Sequence, residues 1–395
     1  MGADDPISLP SDAPRPDISL HLLVKNGASV VGRLIACVGP YLREVVAVLN
    51  DCTDDTREVL EAACAGLGVE CRTISVTSAS HPHLYALDVP STYEVGRALV
   101  GEEYEGPYTG GPMLIDWAGA RNVGWDACVS KWRLFLDADD VVDDPHCLPG
   151  LCQILDERGL DAAASTYHPH HDDQGRSLAE GARERIARGS AGTRWTGCVH
   201  EHLTGAGAGK IVRVVGSLVV RDLRDSRGEG TRIPDRNLKV LYYHARRQNW
   251  QISPREMVYL ACEARRSMPA LSMRLVELQL TLSRWREERA WAASIAGEIC
   301  ERRGDYAEAS AWYERSLEEY PSVGAACLLA RSRYLQRSWQ ESYDAYERAR
   351  ANRGVPQHLG WAAGITLDQA RTFAATSLKM IGRIGEAAEL IGGGA

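Results

Sequence analysis

No stretch of the 395-residue chain approaches the ~20 consecutive apolar residues that a helix needs to cross a bilayer, so no membrane span is expected. No C-x-x-C occurs among the eleven scattered cysteines, which disfavours a cysteine-based zinc site. Most of these cysteines stand among apolar neighbours, where a free thiol packs as a small hydrophobe, and a reducing cytoplasmic setting is expected. Basic residues are not in excess either. Against 53 Asp and Glu there are 45 Lys and Arg, a net charge of −8, which argues against a general binder of nucleic acid or anionic membrane. Residues 1–16, MGADDPISLPSDAPRP, hold no basic or long apolar leader pattern and read as a flexible lead-in.

What is present is globular in composition, 45% apolar and 25% charged, and long enough for two domains. We place them at 17–232 and 233–395. In the first, strand-like runs at 18–26, 44–50, 69–76 and 131–138 alternate with helix-like runs at 29–42, 53–68 and 115–129. That succession predicts an α/β domain with a mostly parallel sheet covered on both faces, with any ligand site outside the strands' carboxyl ends. A helix over 147–158, a strand over 161–167 and a last strand near 210–220 follow. The Gly-, Pro- and Tyr-rich stretch 80–114 is long for a plain connection and suggests a lid or binding loop. From about 235 the pattern is helical throughout. "GDYAEASAWYERSLEEYP" (304–321) and "SWQESYDAYERARANR" (338–353) align at an offset of 33, with Tyr306 on Trp339, Tyr313 on Tyr346 and Glu314–Arg315 on Glu347–Arg348. A degenerate third copy is "GRIGEAAELI" (382–391). This period is close to that of tetratricopeptide repeats and predicts an all-α domain that offers a surface to a protein partner or to a second copy, or else braces the first domain.

The chemistry-bearing stretch is "RLFLDADDVVDD" (133–144), where Asp137, Asp139 and Asp140 crowd the end of a buried run. A hard dication between Asp137 and Asp139 would relieve their repulsion and could carry a diphosphate on its far side; a solvated acidic turn is the plainer alternative. Asp143–Asp144 before Pro145 read as a cap for the next helix. "YHPHHDD" (167–173) reads as a surface hairpin tip rather than a metal site, because Pro169 rules out helical ligand spacing. The arginine-rich 176–194 reads as a solvated loop, as a phosphate clamp through Arg188, or as a contact for a polyanionic acceptor.

Taken in order, "LVKN" (23–26), "LNDCTDDT" (49–56), "WAGARN" (117–122), "FLDADD" (135–140) and "WTGCVHE" (195–201) resemble the family-two glycosyltransferases of GT-A (Rossmann-like) fold, in particular a bacterial subgroup with C-terminal tetratricopeptide-like helices. The resemblance covers about residues 18–220 and the helical tail. It implies a nucleotide-sugar donor, UDP-linked in most relatives, used with Mn²⁺ or Mg²⁺. Asp139 would be the principal metal ligand, with Asp137 on the ribose or the metal and His200 as a further metal or phosphate contact. Lys25, Asn26, Asn50, Asp51, Asp54, Arg121, Asp137 and Arg188 would bind the donor, Asp54 and Thr56 shaping the turn near the base. Relatives usually carry an acid where Leu49 stands here, so either Asn50 or Asp51 reads the base instead or base recognition differs from theirs. Such enzymes invert the anomeric centre and need one general base, for which Glu201, or His200 beside it, is the candidate. Trp195 is either a sugar platform or core. The acceptor is left open between a peptide side chain, a glycan, a small molecule and modified DNA, the acidic charge telling against DNA. A non-catalytic scaffold presenting the helical repeat is the alternative. A nucleotidyltransferase is disfavoured by the lack of a Gly-rich, lysine-containing loop after the first strand.

Overall fold

The computed structural model describes residues 15–86, 92–93, 104–105, 112–171, 177–205, 211–213, 219–222, 236–355 and 365–392. These fall in two compact units, one ending at Arg236, the other running on from Asn237 and including 92–93 and 104–105. Most of the proposed lid, 80–114, and the tip of "YHPHHDD" lie outside the described residues.

The first unit is built on four parallel strands, β1 (Ile18–Val24), β2 (Glu44–Asn50), β3 (Glu70–Val76) and β4 (Trp132–Phe135). All seven residues of β1 and of β2 are buried, as expected of strands covered on both faces. The two faces are built differently. Leu20, Leu22, Val45 and Ala47 share a core with Val31, Leu34 and Ile35 of helix α1 (Ala28–Val38) and Leu60 of α2 (Thr56–Gly66). On the opposite face, Leu23 and Val48 join a smaller cluster with Ala120 of α3 (Trp117–Ala127). α3 lies so close that a Cβ on Gly124 would fall 2.4 Å from the His21 ring and 2.8 Å from Val48. The helix foreseen over 29–42 stops at Val38, and Gly39–Tyr41 tightens into a 3₁₀ turn around Pro40.

Further strands complete the sheet: β5 (Asp140–Val142), β6 (Ala162–His171), β7 (Ser177–Arg188), β10 (Ile211–Arg213) and β11 (Val219–Asp222), with β8 (Arg194–Thr196) and β9 (His202–Thr204) forming a separate ribbon. The order is β3-β2-β1-β4-β7-β6-β11-β5, with β10 also on β6. Antiparallel pairing enters at β7, which runs against both β4 and β6. The chain thus builds outward from β1 to β3 and then returns to add β4 on β1's other side, placing a switch point between the carboxyl ends of β1 and β4.

Two local expectations change. Residues 177–188 are not a solvated loop but a strand inside the sheet, with Ile186 and Ala187 fully buried. Asp143 does not cap a helix: its carboxylate takes the Arg221 Nε at 2.6 Å, and α4 (Cys147–Glu157) starts after His146 without a side-chain cap.

The second unit contains helices α5 (Arg236–Arg247, whose first residue belongs to unit one), α6 (Pro254–Ala264), α7 (Pro269–Leu282), α8 (Arg286–Arg302), α9 (Tyr306–Glu319), α10 (Val323–Leu335), α11 (Trp339–Ala351), α12 (Leu367–Met380) and α13 (Ile384–Gly392). α9 and α11 begin 33 residues apart, at the offset read from the repeat. Their matched tyrosines, Tyr313 and Tyr346, are both buried in one core. Small residues let the helices close up: Ser294 Oγ lies 2.9 Å from Ser316 Oγ, and a Cβ on Gly297 would meet the Tyr313 ring at 2.4 Å. No described helix is long and apolar enough to cross a membrane. All eleven cysteines are free, and burial pushes the Cys128 and Cys152 thiols up to about 12, as suits small core residues.

Candidate active site

The crevice at the ends of β1 and β2 is held open by side chains that serve the backbone. Asn26 and Asp51 both turn through the left-handed region, at φ 49° each, which these two residue types tolerate. Asn26 Oδ1 accepts the Thr53 N–H at 2.8 Å, and Gly27 N–H donates to Thr56 Oγ1 at 2.8 Å. Asp54 takes the Ala28 N–H at 3.1 Å and the Thr56 N–H at 3.2 Å, so one carboxylate serves the first turns of both α1 and α2. Its slight burial works the other way, but the Thr56 hydroxyl and these N–H groups hold it below the usual carboxylate range. Beside this turn lies a cavity of about 210 Å³, lined by Leu49, Asp51, Asp54, Arg57, Ser75 and Thr77 among others. Asn50 is not part of that lining. Its side chain is buried and its Oδ1 accepts the Tyr85 hydroxyl at 2.7 Å. Of the two residues suggested to replace an acid at Leu49, only Asp51 faces the cavity.

At the end of β4 the three aspartates take different surroundings. Asp140 is fully buried and pairs with the equally buried Arg185, Nη2 to Oδ2 at 2.9 Å. The same Oδ2 accepts the Asp137 N–H at 2.8 Å and closes the turn. Burial pushes Asp140 up to about 7 against the pull of Arg185. Asp137 is part-exposed and stands among three guanidinium groups: Arg121 at 3.4 Å from Oδ1, and Arg183 and Arg185 each at 3.7 Å from Oδ2. Asp139 is buried, and its carbonyl accepts Arg33 Nη2 at 3.4 Å.

The arginines come from two elements. Arg121 rises from α3, whose start is fixed by Asp116 accepting the Gly119 N–H at 2.7 Å. Its guanidinium lies 3.9 Å over the Phe135 ring. Arg183 and Arg185 come from β7, where the register against β6 slips between Ala163 and Ala164 and leaves Arg185 as the extra residue of a bulge. Both stack on Tyr167, at 5.2 and 5.0 Å.

Glu201 reaches this cluster through Arg121, whose Nε lies 3.3 Å from Oε1, and its side chain is nearly buried. The ribbon that carries it is pinned to α3 by Asn122, which donates to the Trp195 carbonyl at 2.9 Å and accepts the Trp195 N–H at 3.0 Å. "ARN" therefore does two things: Arg121 joins Asp137 to Glu201, and Asn122 anchors the strand leading to Glu201. Trp195 is core, packed edge-on against Phe135 at 4.9 Å and Trp125 at 5.7 Å.

One site residue is placed elsewhere than expected. Arg188 pairs with Lys131's partner Asp156 at 2.7 Å and with Asp161 at 3.2 Å, and stacks on Trp132 at the first residue of β4, the opposite end of that strand from Asp137. It cannot clamp a phosphate at the crevice. His200, next to Glu201, is exposed and sits at φ 51°. Asp137 and Asp139 suit Mg²⁺ or Mn²⁺, since such ions keep water and substrate phosphate in their shell and need only one or two carboxylates. Arg183, Arg185 and Asn122 were missed by sequence reasoning. The signal was there for the arginines as "RER", but only a strand assignment would have aimed them at Asp137.

Among solved structures, S. aureus TarS 1–349 is similar over 87% of this chain and 93% of its own at 12% identity and a TM-score of 0.38. MamA is similar over 39% and 81% at 13% identity and 0.31. Mycobacterium tuberculosis glucosyl-3-phosphoglycerate synthase, solved with Mn²⁺, UDP-glucose and glycerol 3-phosphate, is similar over 38% and 44% at 17% identity and 0.25. No curated protein matches the chain. Residues 116–214, from the cap of α3 through the acid cluster to beyond Glu201, match the family model described as Glycosyl transferase family 2.

Proposed function

We propose that the chain is a metal-dependent, inverting glycosyltransferase whose catalytic domain spans 17–232, with a tetratricopeptide-like domain at 233–395 that meets a protein partner or a second copy. The observation that carries this is the double contact of Arg121 with Asp137 and Glu201, which brings the acid cluster and the "HE" segment to one place. The donor is a nucleotide sugar, UDP-linked in the first instance. Asp51 and the cavity beside Asp54 receive the base, and Lys25 and Asn26, which follow the end of β1, bind the donor beside it. Asp139, with Asp137, would hold Mn²⁺ or Mg²⁺, which when bound neutralises the diphosphate of the leaving nucleotide. Glu201 accepts the proton from the acceptor hydroxyl or thiol as that atom attacks the anomeric carbon, and Arg121 holds Glu201 in place for it. His200, next to Glu201, lies on the acceptor side. The eleven free cysteines suit a reducing cytoplasm.

The test is proton NMR of sugar released from α-linked nucleotide sugars, with Mn²⁺ and the purified chain. The β-anomer is expected to appear first, and Glu201→Gln is expected to slow its release by about 10²–10⁴-fold. Release of the α-anomer, or an unchanged rate in Glu201→Gln, contradicts the assignment.

A further inference from the structure

The three guanidinium groups around Asp137 are not equivalent. Arg185 has no exposed side-chain surface and is committed to Asp140 at 2.9 Å. Arg121 is 5% exposed, lies over the Phe135 ring and is shared with Glu201. Arg183 alone reaches solvent, with 28% of its side chain exposed, and its approach to Asp137 is 3.7 Å, longer than a hydrogen bond. The oxygen it faces, Oδ2, is also faced by Arg185 at the same distance, so Asp137 keeps a cationic neighbour there when Arg183 turns away. The Tyr167 ring, 5.2 Å from the Arg183 guanidinium carbon, supports the face of the group.

We propose that Arg183 is a binding residue for the diphosphate of the donor: it swings from Asp137 to the phosphate oxygens and holds the leaving nucleotide. The inference rests on the nucleotide-sugar reading above and adds to it a residue and a role. The chemistry demands such a group. Asp137, Asp139, Asp140 and Glu201 crowd the same corner, and an incoming diphosphate would be repelled by them. A planar guanidinium offers two parallel N–H groups to a phosphate and carries a charge that no working pH removes. Arg121 and Arg185 are spent on holding carboxylates, whereas the contact Arg183 gives up is part-exposed and longer than a hydrogen bond. In the transfer step the anomeric carbon–oxygen bond breaks and its electron pair goes to the diphosphate, so a cation on that diphosphate gains most as the bond opens.

The experiment is calorimetry on the full chain with Mn²⁺, titrating UDP, GDP, ADP, CDP and TDP, then the monophosphate of whichever binds best. Arg183→Gln is expected to weaken the diphosphate by about tenfold or more, the monophosphate by less than about threefold, and Mn²⁺ alone hardly at all. Arg183→Lys, which keeps the charge but loses the fork, should fall between, and guards against a folding defect in the glutamine variant. Equal weakening of diphosphate and monophosphate, or no weakening, overturns the role of Arg183 and leaves the enzyme reading standing. If the wild-type chain binds none of the five diphosphates, the enzyme reading fails and the inference falls with it.

Discussion

Asp140 and Arg185 form an ion pair with no exposed side-chain surface on either side, and such pairs are costly to break singly. Asp140→Ala is expected to cost about 3–5 kcal/mol in urea unfolding, because it takes the nearer carboxylate from the buried Arg185 charge and leaves only the longer contact to Asp137. Adding Arg185→Met to the alanine variant should recover much of that loss, which a simple cavity effect would not allow. His21 makes a second residue-scale statement. It is buried in mid-strand, and burial, then the nearby Arg121, lower its pKa to about 3 from the ordinary 6.5. Between those values the unfolded chain binds a proton that the folded chain refuses. Stability is therefore full above about pH 6.5 and drains away as pH falls toward 3, by an amount on the order of 4 kcal/mol. His21→Asn should flatten that acid limb in thermal unfolding from pH 4 to 7; an unchanged slope removes His21 as its source. At this scale "DADD" was legible as a site but not in its partners. Chain position says that Asp137 and Asp139 share a strand end. It does not say that Asp140 turns inward to Arg185 on a later strand, nor that Tyr85 ties up Asn50.

The elements were read well where a period is strict and both ends are punctuated. β1 and β2 are mostly apolar runs of strand length, and α2 follows a Thr/Asp turn and ends at Gly66, so their positions shifted by only a few residues. β7 was missed because its composition, "SLAEGARERIAR", has one β-branched residue, Ile186, and no aromatic to mark a strand, and Arg183 and Arg185 face Asp137 instead of water. Tertiary pairing with β4 and β6 overrides the local signal. The consequence of α3's close seat can be measured. Gly124→Ala places a methyl against the His21 ring and Val48, so α3 must lift, taking Arg121 and Asn122 with it. About 1–3 kcal/mol of stability should be lost, together with donor turnover beyond what the unfolded fraction explains. If Gly124→Ala is as stable and as active as wild type, α3 does not set the site.

On the scale of the whole molecule, the sequence divides where its period changes, from strands and helices in alternation to helices alone, and the compact units part at Arg236 and Asn237. The repeat could be read because its tyrosines recur at 33 residues and point to one core. The acceptor could not, because no short pattern encodes it. The central claim, that the acid cluster of the first unit binds a metal and a nucleotide sugar's diphosphate, is tested most directly by calorimetric titration of UDP with Mn²⁺ into wild type and Asp139→Ala. The account predicts Mn²⁺-dependent binding to wild type that Asp139→Ala weakens at least about tenfold. Equal binding by the two proteins, or none by wild type, contradicts it.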